Sequence, residues 1–493
     1  MTTLTLSPAG RRLEVALGTP LQDVLFEQGV EFPCGGCGRC KGCRVRLLRG
    51  QLETNAEETE VLTAAELSDG WRLACQHTVE SDLELELAQW EMPILGDHCV
   101  FTFAPQVGLG VAIDLGTTTI AAQLLDLKTA HVLAVETALN AQARHGGDIM
   151  SRVAFALRGG QRELERLIRE QLRGMIELLL VAAPDQSLIK VVLVGNTVMH
   201  HLFCGIDVMG LATNPFEPEH PERVRFSPHQ LGWTFGEKAI VEFLPCIGGL
   251  VGSDILAGVV ATGLHERAGL SALIDLGTNG EVVVGNREKL LCTSTAAGPA
   301  FEGARISMGM RAATGAISEV RVKDGAVVCR VIGEGTSRGV CGSGLVDAVA
   351  AGLDLGRIAT NGRMMIETMP LSGLVRLFPQ DVRELQLAKG AIAAGLRILA
   401  AKLGATPDDI EVLHLAGAFG NYINRASARR IGLLSVPIDL ILPAGNTALL
   451  GAKRALFEDA ENWDTLARRV VHVALNEEPS FQDTYAGEMS FPD

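Results

Sequence analysis

The chain has 493 residues, 47% hydrophobic and 20% charged, with a formal net charge of −15. That length accommodates two to four domains, and the acidic balance argues against nucleic acid, whose binding surfaces are basic. The longest apolar runs, such as 175–183, fall short of the roughly 20 residues that span a bilayer. The N-terminus has no basic segment leading into an apolar block, so a cytoplasmic protein with no membrane partner is expected.

Eleven cysteines stand out, four of them at Cys34, Cys37, Cys40 and Cys43. A reduced chain has no need of disulfides, so this density reads as metal binding. Residues 1–92 alternate as a β-grasp unit, with strands at 4–6 and 13–17, a helix capped by Thr19 and running to Phe26, a strand at 44–48, a helix at 56–67 and a closing strand at 82–87. Cys34, Cys40 and Cys43 follow a C-x5-C-x2-C spacing, with Cys75 much later, one residue longer than the plant-type [2Fe–2S] pattern. Counting Cys37 turns the run into C-x2-C-x2-C-x2-C, closer to a bacterial [4Fe–4S] run, and paired C-x2-C also holds zinc. The β-grasp pattern and the distant Cys75 favour [2Fe–2S] on Cys34, Cys40, Cys43 and Cys75. The six scattered cysteines are expected to be small buried apolar residues.

Residues 93–107 form a linker with two prolines. The stretch 111–120, Val-Ala-Ile-Asp-Leu-Gly-Thr-Thr-Thr-Ile, then reads as a buried strand, a tight turn and a return strand. Gly116 lets backbone approach a ligand, and Thr117, Thr118 and Thr119 offer hydroxyls and N–H groups to phosphate oxygens. Asp114 at the strand end can hold Mg²⁺ through water, because hard cations keep part of their hydration. About 160 positions later the core repeats as Ile274-Asp275-Leu276-Gly277-Thr278-Asn279-Gly280-Glu281. Such a repeat indicates duplication. It predicts two α/β lobes, 108–268 and 269–493, whose last helices cross back, with the two turns clamping a nucleotide polyphosphate. In both respects the chain resembles the superfamily of acetate kinase, sugar kinases, heat-shock chaperones and actin.

Long helices are expected at 162–182 and 381–403, and a buried strand at 191–194 runs into a helix capped by Asn196 or Thr197. His200 and His201 are adjacent and so face different sides of that helix, which makes core histidines a better reading than metal ligands. At 413–422 a strand, glycine turn and helix bring Gly417 to Gly420 where a flat adenine can approach. The stretch 443–452 echoes 195–197; paired segments of this kind form the hinge helices of the superfamily, and Gly451 allows a close crossing.

Together with Arg72-Leu73-Ala74-Cys75-Gln76, Ala296-Ala297-Gly298-Pro299-Ala300-Phe301-Glu302-Gly303, Cys341-Gly342-Ser343-Gly344 and Leu415-Ala416-Gly417-Ala418-Phe419-Gly420, these motifs resemble the reductive activators of corrinoid proteins over nearly the whole chain. The resemblance implies an ATP-hydrolysing iron–sulfur reductase that passes one electron through a [2Fe–2S] cluster to return an inactive Co(II) corrinoid protein to Co(I) in a methyltransferase system. It further implies an upstream low-potential reductant and a homodimer. Asp114 and Asp275 would hold Mg²⁺ and orient water. Thr117, Thr118, Thr119, Thr278 and Asn279 would bind ATP phosphates, Gly417, Ala418, Phe419 and Gly420 the adenosine, and Gly116, Gly277, Gly280, Glu281 and Gly298 belong to the same ATP site. Hydroxyls at Ser294, Thr295 or Ser343 are candidate contacts to the partner's cobalt, with a plain backbone-turn role the favoured alternative for each. Two departures are a missing longer linker with a small middle domain before the first turn, and the extra Cys37. Other readings are a small-molecule kinase, an electron donor to a different metalloenzyme, and a nucleotide-sensing carrier without hydrolysis.

Overall fold

The computed structural model describes residues 2–7, 11–26, 28, 30, 38, 43–87, 103–277, 279–333, 336–420 and 422–493. The N-terminal module contains β1 (Thr2–Ser7), β2 (Arg11–Val15), α1 (Leu21–Phe26), β3 (Arg44–Arg49), α2 (Ala56–Val61), α3 (Ala64–Ser68), β4 (Trp71–Leu73) and β5 (Leu83–Leu87). Its sheet runs β2-β1-β5-β3-β4, with β1 and β5 parallel at the centre, a β-grasp. Alternation in β1 and β5 sends Leu4, Leu6, Leu83, Leu85 and Leu87 into one core. Where one helix is expected over 56–67 there are two, because Asn55 and Thr63 each close a capping box and the second restarts the chain. Thr19 does not cap α1: its hydroxyl donates to the Ala16 carbonyl at 2.8 Å.

Lobe 1 continues with β6 (Leu109–Leu115), β7 (Thr119–Asp126), β8 (His131–Leu139), α4 (Ile149–Phe155), α5 (Gln161–Leu180), β9 (Leu188–Val194), α6 (Thr197–Cys204), β10 (Val224–Phe226), β11 (Ile240–Phe243) and α7 (Ser253–Thr262). Helix α5 buries Leu164, Ile168, Leu172, Met175, Ile176 and Leu179 along one stripe, each contributing roughly 1.5–3 kcal/mol of transfer energy. Lobe 2 holds β12 (Ser271–Leu276), β13 (Gly280–Gly285), β14 (Leu290–Thr295), β15 (Ala316–Lys323), β16 (Ala326–Val331), β17 (Gly339–Val340), α8 (Gly342–Asp354), β18 (Met369–Ser372), β19 (Val375–Leu377), α9 (Pro379–Lys402), β20 (Val412–Ala416), α10 (Gly417–Gly420), α11 (Arg425–Arg430), β21 (Ile441–Gly445), α12 (Thr447–Ala455), α13 (Ala460–Arg469), β22 (Val470–His472) and α14 (Phe481–Glu488).

The two large sheets run β10-β11-β9-β6-β7-β8 and β21-β20-β12-β13-β14-β22. Five strands of each, β11-β9-β6-β7-β8 and β21-β20-β12-β13-β14, share one topology, an antiparallel three-strand meander extended by two parallel strands, as duplication requires. The three-stranded sheet β16-β15-β17 and the hairpin β18-β19 are insertions in lobe 2 with no counterpart in lobe 1.

That topology corrects the expected hinge pairing. The counterpart of α12 is α7, not α6. A Cβ on Gly451 of α12 would lie 2.4 Å from the Ala257 carbonyl oxygen of α7, so glycine is what allows this crossing. Helix α6 instead packs against α5 inside lobe 1. The Gly-Asn-Thr echo reflects shared capping chemistry: Asn196 accepts from Met199 N at 3.0 Å and Asn446 from Leu449 N at 2.8 Å. His200 and His201 also turn toward each other, with Nδ1 atoms 3.3 Å apart. Burial pushes their pKa values down to about 3 and about 4, leaving neutral core imidazoles.

Candidate functional site

The two repeated turns close the hairpins β6–β7 and β12–β13, which face a shared cleft of ≈ 910 Å³ lined by Thr118, Asn279 and Gly298 among others. A Cβ at Gly116 would lie 2.4 Å from the Thr119 carbonyl oxygen, so the first turn demands glycine. Its conformation is fixed from within lobe 1. Asn140 donates to Gly116 O at 2.9 Å, the fully buried Arg152 guanidinium donates to Thr117 O, and Asn196 donates to Thr117 Oγ1 at 2.9 Å. In the second turn Gly277 N donates to Asn279 O at 3.1 Å. Thr278 lies outside the described residues.

Asp114 ends β6 and Asp275 ends β12, as the repeat predicts. Between them stands Asp254, in the first turn of α7, which sequence reasoning passed over. Burial raises Asp114 to about 6, opposed by a hydrogen bond from Asn446. Burial and Asp114 raise Asp275 to about 7. Burial together with Asp114 and Asp275 raises Asp254 to about 8. Glu281 is also pushed well up, by burial and then by Asp254 and Asp275, while Ser294 Oγ donates to its Oε1 at 3.1 Å. Asp254, Asp275 and Glu281 are thus each raised by burial and by neighbouring carboxyls. Among the described residues, no group of three or more His, Cys, Asp and Glu stands close enough to ligate a metal ion directly.

The segment 417–420, expected to border adenosine, sits close to this cluster. Gly417 has φ +84, and a Cβ there would lie 2.6 Å from Asp275 Oδ1. Phe419 stacks on Phe301 with ring centroids 4.8 Å apart, so its ring faces its own lobe. Ser294 and Thr295 line the cleft. Ser343 is buried and donates to Ser318 O at 2.9 Å.

In the N-terminal module, Cys34, Cys37 and Cys40 lie outside the described residues. Cys43 and Cys75 are brought together: β3 and β4 pair Arg44 with Leu73, and Ala74 N donates to Cys43 O at 3.1 Å. Gln76 Nε2 donates to Cys75 Sγ at 3.3 Å. Gly38, at φ +68, lies against that amide, 2.8 Å from where its Cβ would be. Gly38 therefore rests on the Cys75 segment. An amide donor at a cysteine sulfur, with glycine allowing close approach, suits an iron–sulfur cluster. The buried Glu58 secures the same segment, accepting from Leu73 N at 2.6 Å and pairing with His77 at 2.8 Å. Burial opposes its ionisation most strongly, but the His77, Leu73 and Asn55 bonds prevail and hold its pKa below the usual carboxylate range. Of the scattered cysteines, Cys246, Cys292 and Cys341 are buried as expected, Cys204 and Cys329 are only partly so, and Cys99 lies outside the described residues.

Fold and site together define an iron–sulfur module joined to a duplicated nucleotide clamp. The models described as the 2Fe-2S iron-sulfur cluster binding domain, the RACo middle region, and the C-terminal domain of RACo, the ASKHA domain, match residues 4–80, 109–267 and 269–493. The chain is 34% identical over 423 residues to the corrinoid activation enzyme RamQ of Eubacterium limosum, covering 78% of this chain and 70% of that protein. It is 27% identical over 421 residues to the [Co(II) methylated amine-specific corrinoid protein] reductase of Methanosarcina barkeri, covering 78% and 77%. A solved reductive activator for corrinoid, iron-sulfur protein superposes with a TM-score of 0.68 at 25% identity, over 100% of this chain and 98% of that one. The chain belongs to the family of reductive activators of corrinoid proteins. The stretch matched by the RACo middle region coincides with lobe 1 and contains the first repeated turn, so it is not a separate domain ahead of that turn. Among the described residues, no helix is long and apolar enough to cross a membrane.

Proposed function

We propose that this protein is an ATP-dependent reductive activator, delivering one electron to a Co(II) corrinoid protein and returning it to Co(I) for methyl transfer. The observation that carries the reading is the pair of repeated hairpin turns whose Thr118 and Asn279 line one cleft, in one chain with a β-grasp cysteine module. When bound on Cys34, Cys40, Cys43 and Cys75, a [2Fe–2S] cluster supplies one-electron transfer at a potential of about −400 mV. A harder acceptor makes that transfer uphill by about 2.3 kcal/mol per 100 mV, which nucleotide binding and turnover must offset.

The chain's own residues divide this work. Asp114 and Asp275 would hold Mg²⁺, whose charge would favour the ionised form of the neighbouring Asp254, and Asp254, once ionised, would accept the proton of an attacking water. Thr117, Thr118, Thr119 and Asn279 bind phosphate oxygens, and Gly417 to Gly420 border the adenosine. The α7–α12 crossing is the hinge about which the lobes close. Function further requires a low-potential reductant upstream, and the cytoplasm and a homodimer are its proposed setting. The test is anaerobic: the purified protein is assayed for a [2Fe–2S] visible spectrum with matching iron and sulfide, and then for ATPase activity with and without a Co(II) corrinoid protein. Stimulated hydrolysis together with cobalt reduction supports the reading, and a colourless, unstimulated protein rejects it.

A further inference from the structure

The iron–sulfur module touches both lobes at once. Its apolar core, which includes Leu4, Val45 and Leu85, is continuous with Leu139 and Ala143 of lobe 1, both almost fully buried. From lobe 2, Arg338, immediately before β17, ion-pairs with Glu86 of β5 at 3.0 Å. The Arg338 guanidinium also lies 5.9 Å from the centre of the Trp71 ring. On the same ring, 5.4 Å from its centre, lies Arg44, the neighbour of Cys43, whose side chain reaches the interlobe cleft. Trp71 thus carries one cation from its own module and one from lobe 2.

Both ends of the Glu86–Arg338 contact are rigid. Arg338 N donates to Gly315 O at 2.8 Å, and the arginine stem presses on Gly315 so closely that a Cβ there would lie 2.5 Å from Cδ. Glu86 is held in the ladder opposite Arg46, whose guanidinium lies 3.8 Å from it. Both residues are thus anchored at the backbone on their own elements. The contact with lobe 1 is apolar and continuous, whereas the contact with lobe 2 is a single ion pair whose hydrogen-bonded component is lost beyond about 3.5 Å.

We propose that the two lobes grip the iron–sulfur module jointly, and that the Glu86–Arg338 pair is the contact that yields when they separate. Docking of the module then reads the spacing of the lobes. With the pair made, Arg44 is held in the cleft beside the cluster module. With it broken, the module stays with lobe 1 and Arg44 withdraws. The proposal rests on the functional reading for what the module carries. Its test is read without a corrinoid acceptor and so stands apart from the reduction assay.

The test is amide hydrogen exchange by mass spectrometry on the full-length, cluster-loaded protein. R338E is expected to speed exchange several-fold in the peptide covering 71–77 while leaving 139–145 protected, and the swapped pair E86R/R338E to restore it. A non-hydrolysable ATP analogue with Mg²⁺ is expected to alter exchange at 71–77 and at the turn 114–119 together in the wild type, but only at 114–119 in R338E. The proposal is overturned if R338E leaves 71–77 unchanged, if the swap fails to restore it, or if nucleotide alters 114–119 alone in the wild type.

Discussion

Asn446 of lobe 2 donates its side-chain amide to Asp114 Oδ2 of lobe 1 at 2.9 Å, while its own oxygen accepts from Leu449 N and caps α12. One side chain thus starts the hinge helix and steadies the carboxylate at the first phosphate turn. Replacing it by alanine removes both bonds. N446A is expected to lose about 1 kcal/mol of stability in urea unfolding, the usual cost of a lost cap. It should also move the acidic limb of the ATPase pH profile upward, because the bond that favours ionised Asp114 is gone.

The carboxyl cluster gives the nucleotide-free protein a characteristic pH dependence. Asp114, Asp275 and Asp254 titrate higher in the fold, at about 6, 7 and 8, than their ordinary value of 3.8. A raised acid costs nothing while protonated in both states; its penalty grows from the unfolded pKa up to the folded pKa and is constant above that. D254N should therefore be more stable than the native chain, with the gap opening between about pH 4 and about pH 8 and level beyond. The gain is about 1.4 kcal/mol for each unit of upward shift removed. Thermal unfolding across that range checks it. Mg²⁺ with nucleotide should shrink the gap by neutralising the cluster.

The hinge crossing is testable through Gly451. A methyl group there meets the Ala257 carbonyl at 2.4 Å, and the neighbouring atom is backbone, which cannot swing aside. G451A should cost about 1–3 kcal/mol by forcing the helices apart, and G451V more. Denaturant unfolding reads the stability, and single-turnover ATPase reads the hinge.

The cysteines separate by role. C43S and C75S should each abolish the [2Fe–2S] visible spectrum with the chain still folded, whereas C37S should keep spectrum, iron and sulfide intact. Circular dichroism alongside iron and sulfide analysis distinguishes cluster loss from unfolding.

How much of this was legible in the sequence follows from which signals repeat. Asp114 and Asp275 were readable because the same strand-acid-glycine turn occurs twice, and the strands carrying them emerge with equivalent topology. Cys75 was readable because a distant fourth cysteine fits a known spacing. Asp254 was not, since Gly-Ser-Asp before an apolar run reads only as a helix start. Its role comes from folding beside two acids about 140 and 20 positions away. Asn446 stood out only as part of the echo of 195–197, and its bond to Asp114 spans 332 positions and has no local trace. The hinge pairing was misassigned because cap chemistry repeats at 196 and 446 while the counterpart helix, α7, starts at Gly252 with no side-chain cap. The inserted sheet β15–β17 interrupts lobe 2 where the repeat has no template.

The most direct measurement is the anaerobic reduction of a Co(II) corrinoid protein, followed by its visible absorbance with reduced enzyme, with and without Mg-ATP, for the native chain and for D114N and D275N. The account predicts formation of Co(I) that depends on Mg-ATP in the native protein and drops at least tenfold in either variant, whose [2Fe–2S] spectra stay unchanged. Equal reduction with and without nucleotide, or full activity in both variants, would contradict it.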